Sequence, residues 1–262
     1  MRSLNIAATG MLAQQLNVEV ISNNIANMNT VGFKRQRAEF EDLLYQDMER
    51  AGSQTSGSGT VAPTGIQIGA GVKAGSVYRI TEQGSLTQTG NKLDLAINGR
   101  GFFQVLTPTG ETAYTRAGNF SANNQGQIVT ADGYLVQPSI AIPANSTNIT
   151  ISQDGEVQAT VGGVTAPTVV GQLQLATFFN DAGLDAQGNN LFMESAASGP
   201  PTVSNPGAPG TGVVLQGYTE ASNVDAVTEI TALITAQRAY EMNSKVVTTA
   251  DQMLSTATNT KT

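Results

Sequence analysis

The chain of 262 residues has no cysteine, no histidine and no tryptophan. Without cysteine there is no disulfide frame and no thiolate nucleophile. Without histidine, Ser-His-Asp and Cys-His catalysis and imidazole metal sites are excluded. Charge is scarce as well: 13% of residues are charged, against about 25% in an average globular protein. Gly, Ser, Thr, Asn and Gln fill the gap, giving the polar but weakly charged surface of many extracellular β-rich proteins. The net charge is −7 with no basic patch, so nucleic acid is not an expected partner. No run approaches the ~18 apolar residues of a membrane span, so no transmembrane segment is expected. Asn5, Thr9, Gln14 and Gln15 interrupt any apolar signal core; taken alone, this start predicts a cytoplasmic or unconventionally exported protein. Aromatics are only 5% of the chain, poor material for the sugar stacking of a secreted β-sheet adhesin.

What the chain does have is a matched helical pattern at its two ends. From Asn223 to Ala257 there is no Gly or Pro, and Leu233, Tyr240, Val247 and Leu254 recur every seven residues. Ala236, Asn243, Ala250 and Ala257 fall between them in the three-four alternation of a heptad seam. Ser222 or Asn223 is positioned to cap the start, and Glu229 lies where the helix dipole favours it. At the other end Leu4, Met11, Val18 and Ile25 are spaced by seven, alternating with Ala7, Gln14, Ile21 and Met28. Both seams are diluted by small and polar residues. Eight bulky side chains at ~1.5–3 kcal/mol each supply on the order of 12–24 kcal/mol. Ordering some sixty residues costs ~1 kcal/mol or more apiece, so neighbouring molecules are expected to complete the burial.

Between the ends the pattern changes twice. Residues 31–75 read as an extended connector. It contains the mixed-charge segment Phe33 to Arg50 and the Gly/Ser-rich stretch 51–65. Phe33, Phe40, Leu43 and Leu44 suggest a short amphipathic piece. Lys34, Arg35 and Arg37 read as a solvated face paired with Glu39, Glu41 and Asp42. Residues 76–221 read as short β runs. Asn98-Gly99, Thr109-Gly110, Gln125-Gly126, Asp132-Gly133 and Asp154-Gly155 mark the turns of antiparallel hairpins in a sheet or barrel. Residues 199–212 read as a Pro/Gly loop and Val213 to Tyr218 as the last strand. The expected class is therefore α+β. An N-terminal helix (1–30) and a C-terminal helix (222–262) lie side by side as a coiled-coil-like core, with a barrel-like antiparallel β domain inserted between them in sequence.

Motifs for chemistry are weak. Glu39 with Glu41 or Asp42, and Asp181 with Asp185, are the carboxylate pairs closest in sequence, and nothing near them suggests a pocket. Gly69 to Ala74 fits G-x-G-x-x-A by letter, but a Ser/Gly-rich linker precedes it and a β-like run follows. No catalytic, cofactor or metal site is expected, and the chain is not expected to be an enzyme.

Two long terminal segments carry a resemblance. Ser22-Asn23-Asn24-Ile25-Ala26-Asn27, followed by Thr30-Val31-Gly32-Phe33-Lys34, resembles the N-terminal signature of bacterial flagellar rod and hook proteins. Gln237-Arg238-Ala239-Tyr240-Glu241-Met242-Asn243-Ser244-Lys245, running on to Asp251-Gln252-Met253-Leu254, resembles their C-terminal signature. Ile97 to Phe103 and Ala113 to Gly118 are similar to the family's core β domain, so the likeness covers nearly the whole chain. The length, Gln36 to Gln46 and Gln216 to Val224 bring it nearest to subunits of the distal rod. Proximal rod and hook subunits are the alternative. The resemblance implies a straight hollow helical homopolymer, a drive shaft carrying motor torque to the hook, with the terminal helices lining the inner tube and the β domain outside. It implies export unfolded through the flagellar type III apparatus. It also implies neighbours in the basal body: proximal rod and hook subunits, and the ring proteins of the outer membrane and peptidoglycan layer. Leu4, Met11, Val18, Ile25, Leu233, Tyr240, Val247 and Leu254 are the expected polymer contacts. Asn23, Asn24, Asn27, Gly32, Phe33, Lys34, Gln237, Arg238 and Tyr240 are the residues that match the family motifs.

Overall fold

The structure is a computed structural model that describes residues 2–50, 52, 63–162 and 166–259. The chain divides into two compact units. Unit 1 comprises residues 1–25, 36–78 and 225–262; unit 2 comprises residues 26–35 and 79–224.

Unit 1 contains both long helices, α1 (Arg2–Ala26) and α2 (Ala226–Asn259). It also holds four strands, β1 (Gln36–Asp42), β2 (Tyr45–Glu49), β3 (Ile66–Gly69) and β4 (Val72–Arg79), the last of which ends in unit 2. β1 pairs with β4, and β2 pairs antiparallel with β3. Leu43 N donates to Gly71 O at 2.9 Å and Ala70 N to Leu44 O at 3.1 Å, so the two ladders join into one ribbon. Thr9 of α1 meets this ribbon at Gly71, whose φ of +127° and lack of a Cβ let the backbone come against the threonine side chain.

Unit 2 is all β. Its strands are β5 (Leu86–Gln88), β6 (Leu95–Asn98), β7 (Phe102–Leu106), β8 (Thr112–Thr115), β9 (Ser121–Ala122), β10 (Ile128–Val129), β11 (Leu135–Gln137), β12 (Ser146–Ile151), β13 (Glu156–Val161), β14 (Thr168–Gln172), β15 (Leu175–Thr177), β16 (Asp185–Gly188), β17 (Leu191–Met193), β18 (Thr202–Ser204), β19 (Val213–Gln216) and β20 (Tyr218–Glu220). The largest sheet follows the order β16-β17-β8-β7-β11-β10-β9, with β15 joining β7 to β18. β7 explains the order. Its Phe102 and Phe103 pair with β15, its Gln104 to Leu106 pair with β11 along the same edge, and β8 takes the other edge. Period-two alternation then sends Phe103 and Val105 to the main core with Leu95, Ile97, Phe120 and Val214. Phe102 goes to the opposite face, with Tyr114, Phe178 and Leu184. Covered on both faces, β7 (Phe-Phe-Gln-Val-Leu) reads as a nearly continuous apolar run rather than as an alternating one.

The structure corrects several expectations. The large sheet is an open path whose end strands, β16 and β9, do not pair, so it does not close into a barrel. The glycines of the five turn dipeptides have φ between 77° and 115°. Four of them turn hairpins, but Asn98-Gly99 does not, because β6 pairs with the distant β19. Thr202 to Ser204, inside the expected Pro/Gly loop, pairs with β15. The expected last strand is two strands, β19 and β20, separated by Gly217 at φ 77°. The short amphipathic piece expected around Phe33, Phe40, Leu43 and Leu44 contains the strand β1, in which half-buried and exposed positions alternate; Phe33, Phe40 and Leu43 are half-buried, but Leu44 is exposed. Lys34 is not on a solvated face but buried. Most of the stretch 51–65, namely residues 51 and 53–62, lies outside the described residues.

Candidate assembly surface and the residues that frame it

α2 begins at a cap other than the expected one. Asp225 Oδ1 accepts the Thr228 N–H at 2.7 Å, while Ser222 and Asn223 bond elsewhere. The buried residues of α2 are Glu229, Ala236 and Ala250. With Asn243 they stand seven apart, so the inward stripe is the small and polar half of the seam. On α1 the buried set is Ala7, Ala13, Val20, Ile21 and Asn24. The helices meet at two places. Asn24 Nδ2 donates to Glu229 Oε2 at 3.1 Å, and a Cβ on Gly10 would stand 2.9 Å from Asn243 Nδ2. Residues 24 and 10, and residues 229 and 243, are each 14 apart, so the helices run antiparallel in register. A groove of about 630 Å³ is lined by Gln14 and Asn17 of α1 and by Val227, Thr231, Thr235 and Ala236 of α2.

The bulky half of the seam is only partly used within one molecule. Leu4, Met11, Val18, Ile25, Leu233 and Val247 are half-buried; Tyr240 and Leu254 are exposed. A second apolar row escaped the sequence reading. Val227, Ile230 and Ile234 follow helical three-four spacing, and all are exposed, as are Met242, Val246 and Met253. From Asp251 to Asn259 every residue of α2 is exposed. Five hydroxyls on α2, those of Thr231, Thr235, Thr249, Thr256 and Thr258, donate to the carbonyl four residues earlier, a habit that slightly weakens a helix. α2 therefore has little internal support and much uncovered apolar surface.

The motif residues divide by role. Asn24 is a joint within unit 1. Its amide pairs with both backbone groups of Gln36, Nδ2 donating to the carbonyl at 2.8 Å and Oδ1 accepting the N–H at 2.8 Å, while it also reaches Glu229. The side chain thus stands in for one residue of a neighbouring strand where β1 begins. Asn27 Oδ1 accepts the Thr30 hydroxyl at 3.2 Å in the turn after α1. Phe33 is half-buried, whereas Asn23, Gln237, Arg238 and Tyr240 are exposed.

Gly32 and Lys34 belong to a buried cluster in unit 2. Gly32, at φ +71°, donates its N–H to the Glu220 carbonyl at 2.8 Å, and a Cβ there would run into the Ala117 backbone. Glu220 Oε1 accepts Lys34 Nζ at 2.5 Å and the Gly84 N–H at 2.9 Å; Oε2 accepts Arg116 Nε at 2.5 Å. Arg116 spends its other donors on the carbonyls of Gly101, Gly99 and Ile97. Burial by itself would raise the Glu220 carboxyl, but the charges of Arg116 and then Lys34, with their hydrogen bonds, outweigh it and hold the carboxyl below its ordinary range. Burial lowers Lys34 more than Glu220 raises it. One carboxylate between two cations accounts for both directions: the acid is doubly compensated, Lys34 only in part. The adjoining cavity of about 320 Å³ is lined by Lys34, Arg100 and Arg116, and these cations already hold protein oxygens.

The expected carboxylate pairs involve acids that hold cations of their own. Glu41 binds Lys73 and Asp181 binds Arg100. No group of three or more metal-ligating side chains occurs among the described residues, and no described helix is long and apolar enough to cross a membrane. The buried pairings of Glu220, Arg116 and Glu229 were missed in the sequence because their partners lie 104 to 205 residues away.

Three families match. The flagella basal body rod protein family covers residues 4–34, the flagellar hook protein FlgE/F/G D1 domain family residues 96–159, and the flagellar basal body rod FlgEFG protein C-terminal family residues 215–260. None of these descriptions is of an enzyme. The chain is 70% identical over 254 residues to the flagellar basal-body rod protein FlgG of Caulobacter vibrioides, covering 97% of each chain. It is 55% identical to the FlgG of Agrobacterium fabrum over 97% of each chain. To the FlgG of Bacillus subtilis it is 42% identical over 100% of this chain and 99% of that one.

Proposed function

Since this chain belongs to the FlgG family of flagellar basal-body rod proteins, we propose a specific way in which its subunits hold together. It is a structural subunit of the distal rod in the flagellar basal body and serves motility. The proposal is that it polymerises into a straight hollow tube, a drive shaft between motor and hook, through its terminal helices. In the tube α1 and α2 form a coiled-coil-like inner wall. Leu4, Met11, Val18, Ile25, Leu233, Tyr240, Val247 and Leu254 meet neighbouring copies, joined by the row Val227, Ile230 and Ile234. A contact between unlike faces whose rotation does not close builds a helical filament rather than a ring. The observation that carries this reading is the uncovered apolar surface of α2: the inward stripe of small residues leaves the bulky ones for other molecules.

The connector fits the same reading. Every residue of β2 is exposed, and Leu44, Tyr45, Met48, Ile66 and Ile68 put five large apolar side chains on a two-stranded ribbon. An isolated two-stranded hairpin is marginal in water, and we take this ribbon to rest on an adjacent subunit and to help keep the rod straight. Delivery through the flagellar export apparatus, and end contacts with proximal rod and hook subunits and with the ring proteins of the outer membrane and peptidoglycan layer, complete the proposal. Electron microscopy of the purified protein under polymerising conditions tests it. Straight hollow tubes are expected; a protein that stays single at every concentration would refute it.

A further inference from the structure

We propose that unit 2 closes only when the eleven residues 213–223, close to its C-terminal end, dock, so that an incompletely delivered chain stays open. The sense of this device for an exported subunit rests on the function proposed above; the folding behaviour itself does not. Three observations within unit 2 converge on that stretch. First, β6 contributes Leu95, Ala96 and Ile97, all at most 1% exposed, and its ladder partner is β19 near the end of the unit. Until Val213 to Gln216 arrive, the backbone of a core strand lacks those partners. Second, β5 pairs with β20, Ala221 N donates to Ser85 O at 2.8 Å, and a Cβ on Gly84 would collide with the Ala221 carbonyl. Asn223 accepts the Arg35 N–H and donates to the carbonyls of Ile80 and Glu82. Third, the carboxylate facing both buried cations, Lys34 and Arg116, is that of Glu220, which lies 186 and 104 residues away from them in sequence. Without Glu220, closing the core would bury two positive charges lacking that counter-charge, which opposes closure. Backbone pairing and charge therefore both wait on the same short segment.

Refolding of the full-length chain from urea, followed by pulsed hydrogen exchange, tests this. The amides of Ala96, Ile97, Val105 and Ala113 are expected to gain protection in the same kinetic phase as Val214, Leu215 and Thr219. Protection of β7 and β8 in an earlier phase, before β19 and β20, would overturn the proposal. Glu220→Gln keeps the shape and removes the charge; it is expected to slow the common phase at least about tenfold, with Glu220→Asp recovering part of the rate. A Glu220→Gln chain that closes at the wild-type rate would equally overturn it. Leu254→Asp, a change on the assembly surface, should leave this phase unaltered while impairing polymerisation. Failure of the polymer reading and failure of the closure step thus give different results.

Discussion

The double change Ile230→Asp with Ile234→Asp probes the assembly surface most sharply. In a single subunit these side chains are 49% and 45% exposed and lie four residues apart on one face of α2. Full burial of an isoleucine is worth about 1.5–3 kcal/mol. The half still exposed therefore contributes about 0.7–1.5 kcal/mol per residue when a neighbour covers it. For the pair this is about 1.5–3 kcal/mol of subunit contact, or roughly ten- to a hundredfold in the concentration needed for assembly. A carboxylate forced into the covered position adds a desolvation cost of several kcal/mol. The critical concentration for polymerisation, read by sedimentation, should thus rise at least about a hundredfold. Melting of unit 2, followed by near-ultraviolet circular dichroism of its tyrosines, should move by no more than the ~0.5 kcal/mol of an ordinary surface change. A double variant that assembles at the wild-type concentration would refute the reasoning.

Three other outcomes follow from the buried clusters. Because the Glu220 carboxyl is held below its ordinary value of 4.5, the stability it contributes is present above that value and is lost as pH falls through the lower folded-state value. Acid titration of the wild type should show this loss, and Glu220→Gln should remove that step. Asn24→Ala deprives both backbone groups of Gln36 and the Glu229 carboxylate of a partner. It should cost roughly 2–3 kcal/mol, seen as a raised critical concentration and faster exchange at the start of β1. Gly32→Ala requires a strained φ and meets the Ala117 backbone; it should lower the stability of unit 2 to urea by at least about 2 kcal/mol.

Features with a local signature were legible in the sequence. Glu229, Ala236, Asn243 and Ala250 keep a period of seven because one face of a long helix repeats at that interval. Turn glycines announced themselves because φ above zero favours glycine. What stayed hidden depends on partners far along the chain. Lys34 read as solvated beside Glu39 and Glu41, yet its carboxylate is 186 residues away. Asn24 reaches Glu229 across 205 residues, and β6 turned away from its neighbour β7 to pair with β19. Periodicity reports which face of an element is apolar, not which distant segment covers it. For the same reason the row Val227, Ile230 and Ile234 went unnoticed beside the stronger heptad.

Hydrogen exchange of α1 and α2, compared between the dilute single subunit and the assembled polymer, bears most directly on the claim that the terminal helices are completed by other copies. Their amides should exchange freely in the single subunit and become protected on assembly, while those of β6, β7 and β8 are protected in both states. Helices fully protected in a subunit that stays single at every concentration would contradict it.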